Sequence, residues 1–395
     1  MESFKYKLPT KIIFGRGEFI KLGTEAKQLG KKAFIVTGKK FAKESGLLDK
    51  AHEMLDKSGL IYIDFTKIEP NPKSETIDIG AAIACKQKVD FIIGLGGGSV
   101  IDAAKAIALV TTTCKPIWDY CERPTKEKIP HKVLPILSVV TVAATGSEAD
   151  GNSVITNSKT RDKRGIYGEA LFPTISIVDP LITLSVPQQQ TIDGVVDMFV
   201  HILESYLSSK ACAPVSDRIS EALMKEALMQ GEKVFMKLND IEAREALSWI
   251  STLALSGIPN AGRKGPFPMH RMEHPLSGMY GISHGRGLAS IMPSYLYHTK
   301  EMHYDRLKLL GKNLFSTDSP AKTIERLVHW LKKVDAFVSL KKLGVKREDI
   351  DRLIEMAVRD EGEKDSISAR EKLNREQLKK IYETAYNYGD LYRKA

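Results

Sequence analysis

The chain has 395 residues, 43% of them hydrophobic and 27% charged, an ordinary globular composition long enough for two or three domains with cores of their own. It holds no run of about 18 apolar residues, which argues against a membrane-spanning helix, and its opening stretch, MESFKYKLPTKIIFGRG, is too mixed and charged for a signal peptide. The net charge of +10 comes from lysines spread along the chain, with no basic run interleaved with aromatics, so it reads as surface solubility rather than a nucleic-acid surface.

In chain order, AFIVTG (33–38) and LIYIDF (60–65) are rich in β-branched and aromatic residues and predict strands. ETIDIGAAIACKQKV (75–89) predicts a helix. DFIIGLG (90–96) is a continuous apolar run ending in glycine, as expected of a strand buried on both faces. SVIDAAKAIALV (99–110) predicts the next helix, and VLPILSVVT (133–141) and ISIVDP (175–180) two more strands. Alternation of this kind predicts a parallel, Rossmann-like α/β sheet.

After about Ser185 long amphipathic stretches take over, at 190–207, 216–238, 242–257 and 321–334, and this half reads as all-helical. The expected division is an α/β domain over 1–185 and an all-helical domain over 186–395. The boundary falls at SVP (185–187), where Pro187 suits a helix first turn. The polar segment 359–372 is expected to be a mobile loop. Four scattered cysteines, Cys85, Cys114, Cys121 and Cys212, form no CxxC pair, which argues against a disulfide framework and fits a reducing cytoplasm.

Gly96, Gly97 and Gly98 stand between a predicted strand and helix. Glycines there allow a sharp turn and close approach to a pyrophosphate, and the helix N-terminus offers N–H groups and a positive dipole end. A purely structural reading is equally open, because Ser99 and Asp102 have the S-x-x-D spacing of a capping box. A second small-residue turn, TVAATGSEADGN (141–152), follows a later strand. Two such turns point to a long phosphate-bearing ligand along the sheet edge.

Asp197 and His201 are four apart in a helical pattern and share a face. Alone, that pair reads more readily as a salt bridge. HRMEHPLSGMYGISHGRG shifts the balance, since His270, His274 and His284, three of nine histidines, fall within fifteen residues. Asp197 with three imidazoles suits a borderline divalent cation and leaves positions open for substrate; helix-packing histidines are the alternative.

These segments resemble the iron-containing (group III) alcohol dehydrogenases, nearest the butanol dehydrogenase and broad-range aldehyde reductase branch. The resemblance runs from PTKIIFGRG (9–17) to about Pro293 through GGGSVIDAAK (96–105), ATGSEADGNSVIT (144–156), DGVVDMFVHILESY (193–206) and HRMEHPLSGMYGISHG (270–285), and weakens beyond. It implies a dehydroquinate synthase-like architecture, with a dinucleotide-binding α/β domain and an all-helical metal-binding domain. It also implies one divalent metal, iron first and zinc second, on Asp197, His201, His270 and His284, with His274 beside it moving a proton. The cofactor contacts implied are Asn71, Gly97, Gly98, Ser99, Asp102, Thr141, Thr145, Asn152 and Lys163. The implied activity is hydride transfer between NAD(P)H and an aldehyde or primary alcohol by a homodimer or larger homo-oligomer, with no nucleic-acid or membrane partner.

Two departures stand out. The family's PTTAGTGSE reads VTVAATGSE here, with Val140 and Ala144 replacing proline and glycine, which supports the branch assignment. Many members carry an acid just after the first predicted strand, where this chain has Gly38, Lys39 and Lys40. Without the acid a 2′-phosphate is not repelled, so NADP(H) is favoured over NAD(H).

Two other readings compete. A lyase resembling dehydroquinate synthase would need many basic residues around the metal motifs. Met198, Phe199, Phe267, Met269, Met279 and Tyr280 are mainly apolar there, with Arg263, Lys264, Arg271 and Arg286 as exceptions. A non-catalytic, metal-stabilised module is the other.

Overall fold

The computed structural model describes residues 1–122, 127–263, 265–361, 365–389 and 391; Lys264 lies outside them. The chain forms two compact units, Lys7–Pro187 and Gln188–Ala395 together with Met1–Tyr6.

The first unit carries strands β1 (Lys11–Phe14), β2 (Lys32–Gly38), β3 (Ile61–Ile68), β4 (Phe91–Gly96), β5 (Ile136–Val140), β6 (Asn152–Thr156), β7 (Lys163–Tyr167) and β8 (Ile175–Val178). Its helices are α1 (Leu22–Ala26), α2 (Phe41–Glu44), α3 (Leu47–Lys57), α4 (Ser74–Gln87), α5 (Gly98–Thr113) and α6 (Trp118–Cys121). Six strands make one sheet in the order β1-β8-β5-β4-β2-β3, every pair parallel.

Every residue of β4 and β5 is buried, which is why these strands read as unbroken apolar runs rather than alternating ones. Phe34, Val36 and Ile92 pack on one face with Ile77 of α4 and Ile107 of α5. Ala33, Ile35, Phe91 and Ile93 pack on the other with Leu48 and Leu55 of α3. From β2 the chain steps outward to the edge strand β3, then returns to β4 on the far side of β2. Connections thus leave β2 in both directions, and in open α/β sheets ligands bind outside the carboxyl ends of the strands at such a switch point. Gly38 ends β2 and Gly96 ends β4.

Three strands of this unit were not expected from the sequence. β1 is a short edge strand, and β6 and β7 form an antiparallel hairpin apart from the main sheet.

The second unit holds α7 (Gln188–Ser208), α8 (Pro214–Met236), α9 (Ile241–Ala254), α10 (Pro268–Tyr280), α11 (His284–His298), α12 (Tyr304–Phe315), α13 (Pro320–Lys333), α14 (Ile350–Glu361) and α15 (Arg375–Tyr386). α7 is buried on all sides from Thr191 to Ser208 and packs against α8, α9 and α11. An α-helix buried all round is a core element. The expected loop at 359–372 needs correcting. α14 runs to Glu361, and a two-stranded ladder, β9 (Ser366–Ile367) with β10 (Leu373–Asn374), follows. Ile367 and Leu373 are buried and anchor that ladder; residues 362–364 lie outside the described residues.

Candidate functional site

The helical unit brings the Asp/His set together. Asp197 and His201 sit one turn apart on α7, His270 lies near the start of α10, and His284 opens α11. Donor atoms of Asp197, His201 and His270 all lie within 4.8 Å of one another. Asp197 Oδ1 is 3.8 Å from His270 Nε2 and 3.7 Å from His284 Nε2. Donors held about 2.0–2.2 Å from one cation are separated by about 3–3.5 Å, so a small inward adjustment closes the set around an ion.

The hydrogen bonds behind the rings decide what each ring presents. His201 Nδ1 faces the Asp197 carbonyl oxygen at 2.9 Å. It is also 3.0 Å from Asp197 Oδ1, but the carbonyl takes the hydrogen bond. His270 Nδ1 is bonded to the Glu204 carboxylate, and His284 Nδ1 to the Glu273 carboxylate. Each ring therefore keeps Nε2 as its outward nitrogen, the arrangement by which carboxylates orient metal-bound histidines. Asp197 Oδ1 and His270 Nε2 are buried and make no hydrogen bond. Buried polar atoms are seldom left so, and an oxygen and a nitrogen facing each other across 3.8 Å fit a cation between them.

Glu204 and Glu273 were missed at the level of sequence. Glu204 is 1% exposed and Glu273 0%, so each carboxylate needs its partners. Glu204 also accepts from the Met269 backbone amide, and Glu273 from Ser277 Oγ. The available signal was an acid inside an apolar helical run, MFVHILE, on the face of Asp197 and His201. Gly287 is explained here too, because a Cβ there would stand 2.7 Å from Glu273 Cγ.

Burial alone would raise the Asp197 carboxyl, but the surrounding histidines outweigh it and hold the group well below the carboxylate range. Burial likewise lowers His270, yet Glu204 and Asp197 lift it to about 9. The carboxylates that attract a proton there attract a cation equally.

His274, one turn beyond His270, is buried with its ring centroid 5.9 Å from that of His284. Of the apolar residues, Phe267 lies against His201 and His270, with centroids 6.2 and 5.8 Å away. Phe199 instead packs on Trp330, and the Tyr280 hydroxyl donates to Asp349. Two of the four basic exceptions are engaged in ion pairs: Arg263 with Asp217 at 2.7 Å and Arg286 with Asp193 at 2.8 Å.

In the α/β unit the glycine turn joins β4 to α5, with Gly97 as N-cap and no side-chain cap. The capping box that Ser99 and Asp102 offered as the structural alternative does not form. Asp102 accepts instead from Ser147 Oγ at 2.6 Å and the Val154 amide at 2.9 Å, because it faces the second turn and β6. Burial raises its carboxyl to about 6 against the opposing pull of Lys105. Gly98 is required by contact, since a Cβ there would lie 2.6 Å from Thr145 Oγ1. Thr141 donates its amide to Gly96 O, and Ser99 Oγ accepts from the Asn71 amide at 3.3 Å. Asn71, Gly97, Gly98, Ser99, Thr141 and Thr145 thus gather at the start of α5.

Lys105, fully buried, clamps the second turn by donating to Ser147 Oγ (2.9 Å), Asp150 Oδ1 (2.7 Å) and the Asn152 carbonyl (2.7 Å). Lys163 pairs across the hairpin with Thr156, whose amide donates to Pro72 O beside Asn71. Gly38 and Lys39 stand at the end of β2, on the other flank of the switch point.

Comparison with known proteins gives the family. Residues 9–180 match the family described as iron-containing alcohol dehydrogenase, and residues 191–386 its C-terminal region. The chain is 38% identical to a probable NADH-dependent butanol dehydrogenase 1 of Bacillus subtilis over 85% of this chain and 87% of that one. It is 33% identical to NADH-dependent butanol dehydrogenase A of Clostridium acetobutylicum over 98% and 100%, and 31% to the NADPH-dependent aldehyde reductase YqhD of Escherichia coli over 74% and 75%. A crystal structure of NADH-dependent butanol dehydrogenase A from Thermotoga maritima superposes with a TM-score of 0.93 at 36% identity, covering 98% of this chain and 99% of that one. With both halves matched to one family, the lyase and the non-catalytic module give way. The chain belongs to the iron-containing alcohol dehydrogenase family and is an NAD(P)-dependent oxidoreductase of alcohols and aldehydes.

Proposed function

We propose that the chain reduces short and medium aliphatic aldehydes to primary alcohols, butanal among them, with NADP(H) favoured over NAD(H). Residues 186–395 hold one divalent ion, Fe²⁺ first and Zn²⁺ second, through Asp197, His201, His270 and His284; a mixed carboxylate and imidazole set suits either metal. Residues 1–185 take the dinucleotide, its pyrophosphate at Gly97, Gly98 and Ser99 and the N-terminus of α5. When bound, the ion polarises a carbonyl oxygen and the nicotinamide supplies hydride. The protein's own part is positional. Glu204 and Glu273 set the ring faces of His270 and His284, Phe267 gives the imidazoles an apolar neighbour, and His274 moves the proton required at the substrate oxygen. The absence of an acid at Gly38 supports the NADP(H) preference. We place the enzyme in the cytoplasm as a homodimer or larger homo-oligomer; none of its four cysteines is in a disulfide, and three of them are exposed, as a reducing compartment allows.

The observation that carries this reading is the pair of buried atoms without hydrogen bonds, Asp197 Oδ1 and His270 Nε2, within a ring of carboxylate-oriented imidazoles. The deciding experiment is metal analysis of purified protein beside NADPH and NADH oxidation with butanal. One iron or zinc per chain and metal-dependent oxidation is the expected result; metal-free protein with full activity overturns it.

A further inference from the structure

The carboxyl end of β2 holds a charge relation that the identity of residue 38 does not disclose. Gly38 leaves its corner open: a Cβ there would meet only Ile68 O, at 3.8 Å. Gly38 pairs with Ile68 in the register of β2 and β3, so the next residues, Lys39 and Glu69, run side by side. Lys39 Nζ lies 3.6 Å from Glu69 Oε1. The two partners are unequally held. The Glu69 side chain is 18% exposed, and the Lys39 side chain is 59% exposed. Glu69 Oε1 also accepts from Thr76 Oγ1 in the first turn of α4 at 3.1 Å, and Oε2 is buried without a hydrogen bond. The carboxylate is a fixed charge and the ammonium is on a loose stem.

An acid at this end of a dinucleotide sheet accepts from a ribose 2′-hydroxyl or repels a 2′-phosphate. Position 38 carries none, but the neighbouring strand supplies one. We propose that Glu69 is a specificity-determining residue for the cofactor. It holds Lys39, and a 2′-phosphate must draw Lys39 away and settle near a fixed negative charge; a 2′-hydroxyl meets neither obstacle. The pair is long and its lysine is exposed, so it is weak enough to yield, and Glu69 moderates the NADP(H) preference rather than abolishing it. This rests on the reading that the adenosine ribose lies at the end of β2.

The test is isothermal titration of NADP⁺ and NAD⁺, with adenosine 2′,5′-bisphosphate and 5′-AMP as fragments, into wild type, Glu69→Gln and Lys39→Met, beside kcat/KM for NADPH and NADH with butanal. Glu69→Gln keeps the acceptor for Thr76 and removes only the charge. It should tighten NADP⁺ and the bisphosphate about five- to tenfold and leave NAD⁺ and 5′-AMP within about twofold. Lys39→Met should weaken NADP⁺ alone. Equal changes for both nucleotides, or an unchanged ratio, overturn the role of Glu69 while wild type still binds. If wild type binds neither nucleotide nor fragment, the underlying cofactor reading fails with it.

Discussion

Glu204 is hydrogen-bonded to His270 Nδ1, and this contact fixes Nε2 as the nitrogen that His270 turns toward Asp197. Losing a carboxylate that orients a metal-bound histidine typically costs about 10–100-fold in metal affinity or activity. Glu204→Gln should therefore release metal to a chelator at concentrations that leave wild type loaded. Unchanged retention would show that Glu204 merely fills the core.

The proposed ligands make a sharper demand. Asp197→Ala and His284→Ala should each lose bound metal and turnover together, read by elemental analysis and butanal-dependent NADPH oxidation. Full activity in a metal-free double variant would end the metal mechanism.

His274 separates from the ligands in the same assay. His274→Ala should slow turnover by about 10²–10⁴-fold, the usual contribution of a positioned proton-transfer group, while metal content stays at wild-type level. Loss of metal would make His274 a ligand instead.

Lys105 is fully buried and satisfied by Ser147, Asp150 and Asn152. Lys105→Met leaves Asp150 without its buried cation, a change that costs about 3–5 kcal/mol. Urea unfolding should show the loss. Because the same ammonium clamps the second turn onto α5, KM for the cofactor should rise more than kcat falls. Wild-type stability would refute the clamp.

His303 is fully buried, and burial, with Arg370 second, pushes it down to about 4 from its ordinary 6.5. The unfolded chain then binds the extra proton first as the medium is acidified. This contribution is fully present above pH 6.5 and is lost as pH falls toward 4, up to about 3 kcal/mol. His303→Gln should flatten the stability curve across that window; an identical slope would exclude His303 as its source.

The parallel sheet was legible because buried strands leave apolar runs such as FIIGLG, bounded by the helices that cover them. β1 and the β6–β7 hairpin were not, since KIIF is four residues long and NSVIT and KRGIY mix polar and charged residues at an edge. The proposed ligand set was visible as an Asp/His pair and a cluster of histidines, but the helices α10 and α11 were masked by Pro275 and Pro293 inside them. Ser99 and Asp102 misled for a physical reason: side-chain spacing fits a cap, yet a glycine N-cap freed Asp102 to face Ser147 and Val154. Glu204 and Glu273 stayed hidden because a buried acid looks like any helical acid until its partner, far along the chain, is placed beside it.

The spacing of Asp197, His201 and Glu204 along α7 has an implication for length variation. Each residue added to a helix turns everything beyond it by about 100°, so one insertion between Asp197 and Glu204 would swing a proposed ligand and its neighbour's anchor onto different faces of the helix. Between these positions the gene can change letters but not count, and natural insertions should collect outside them.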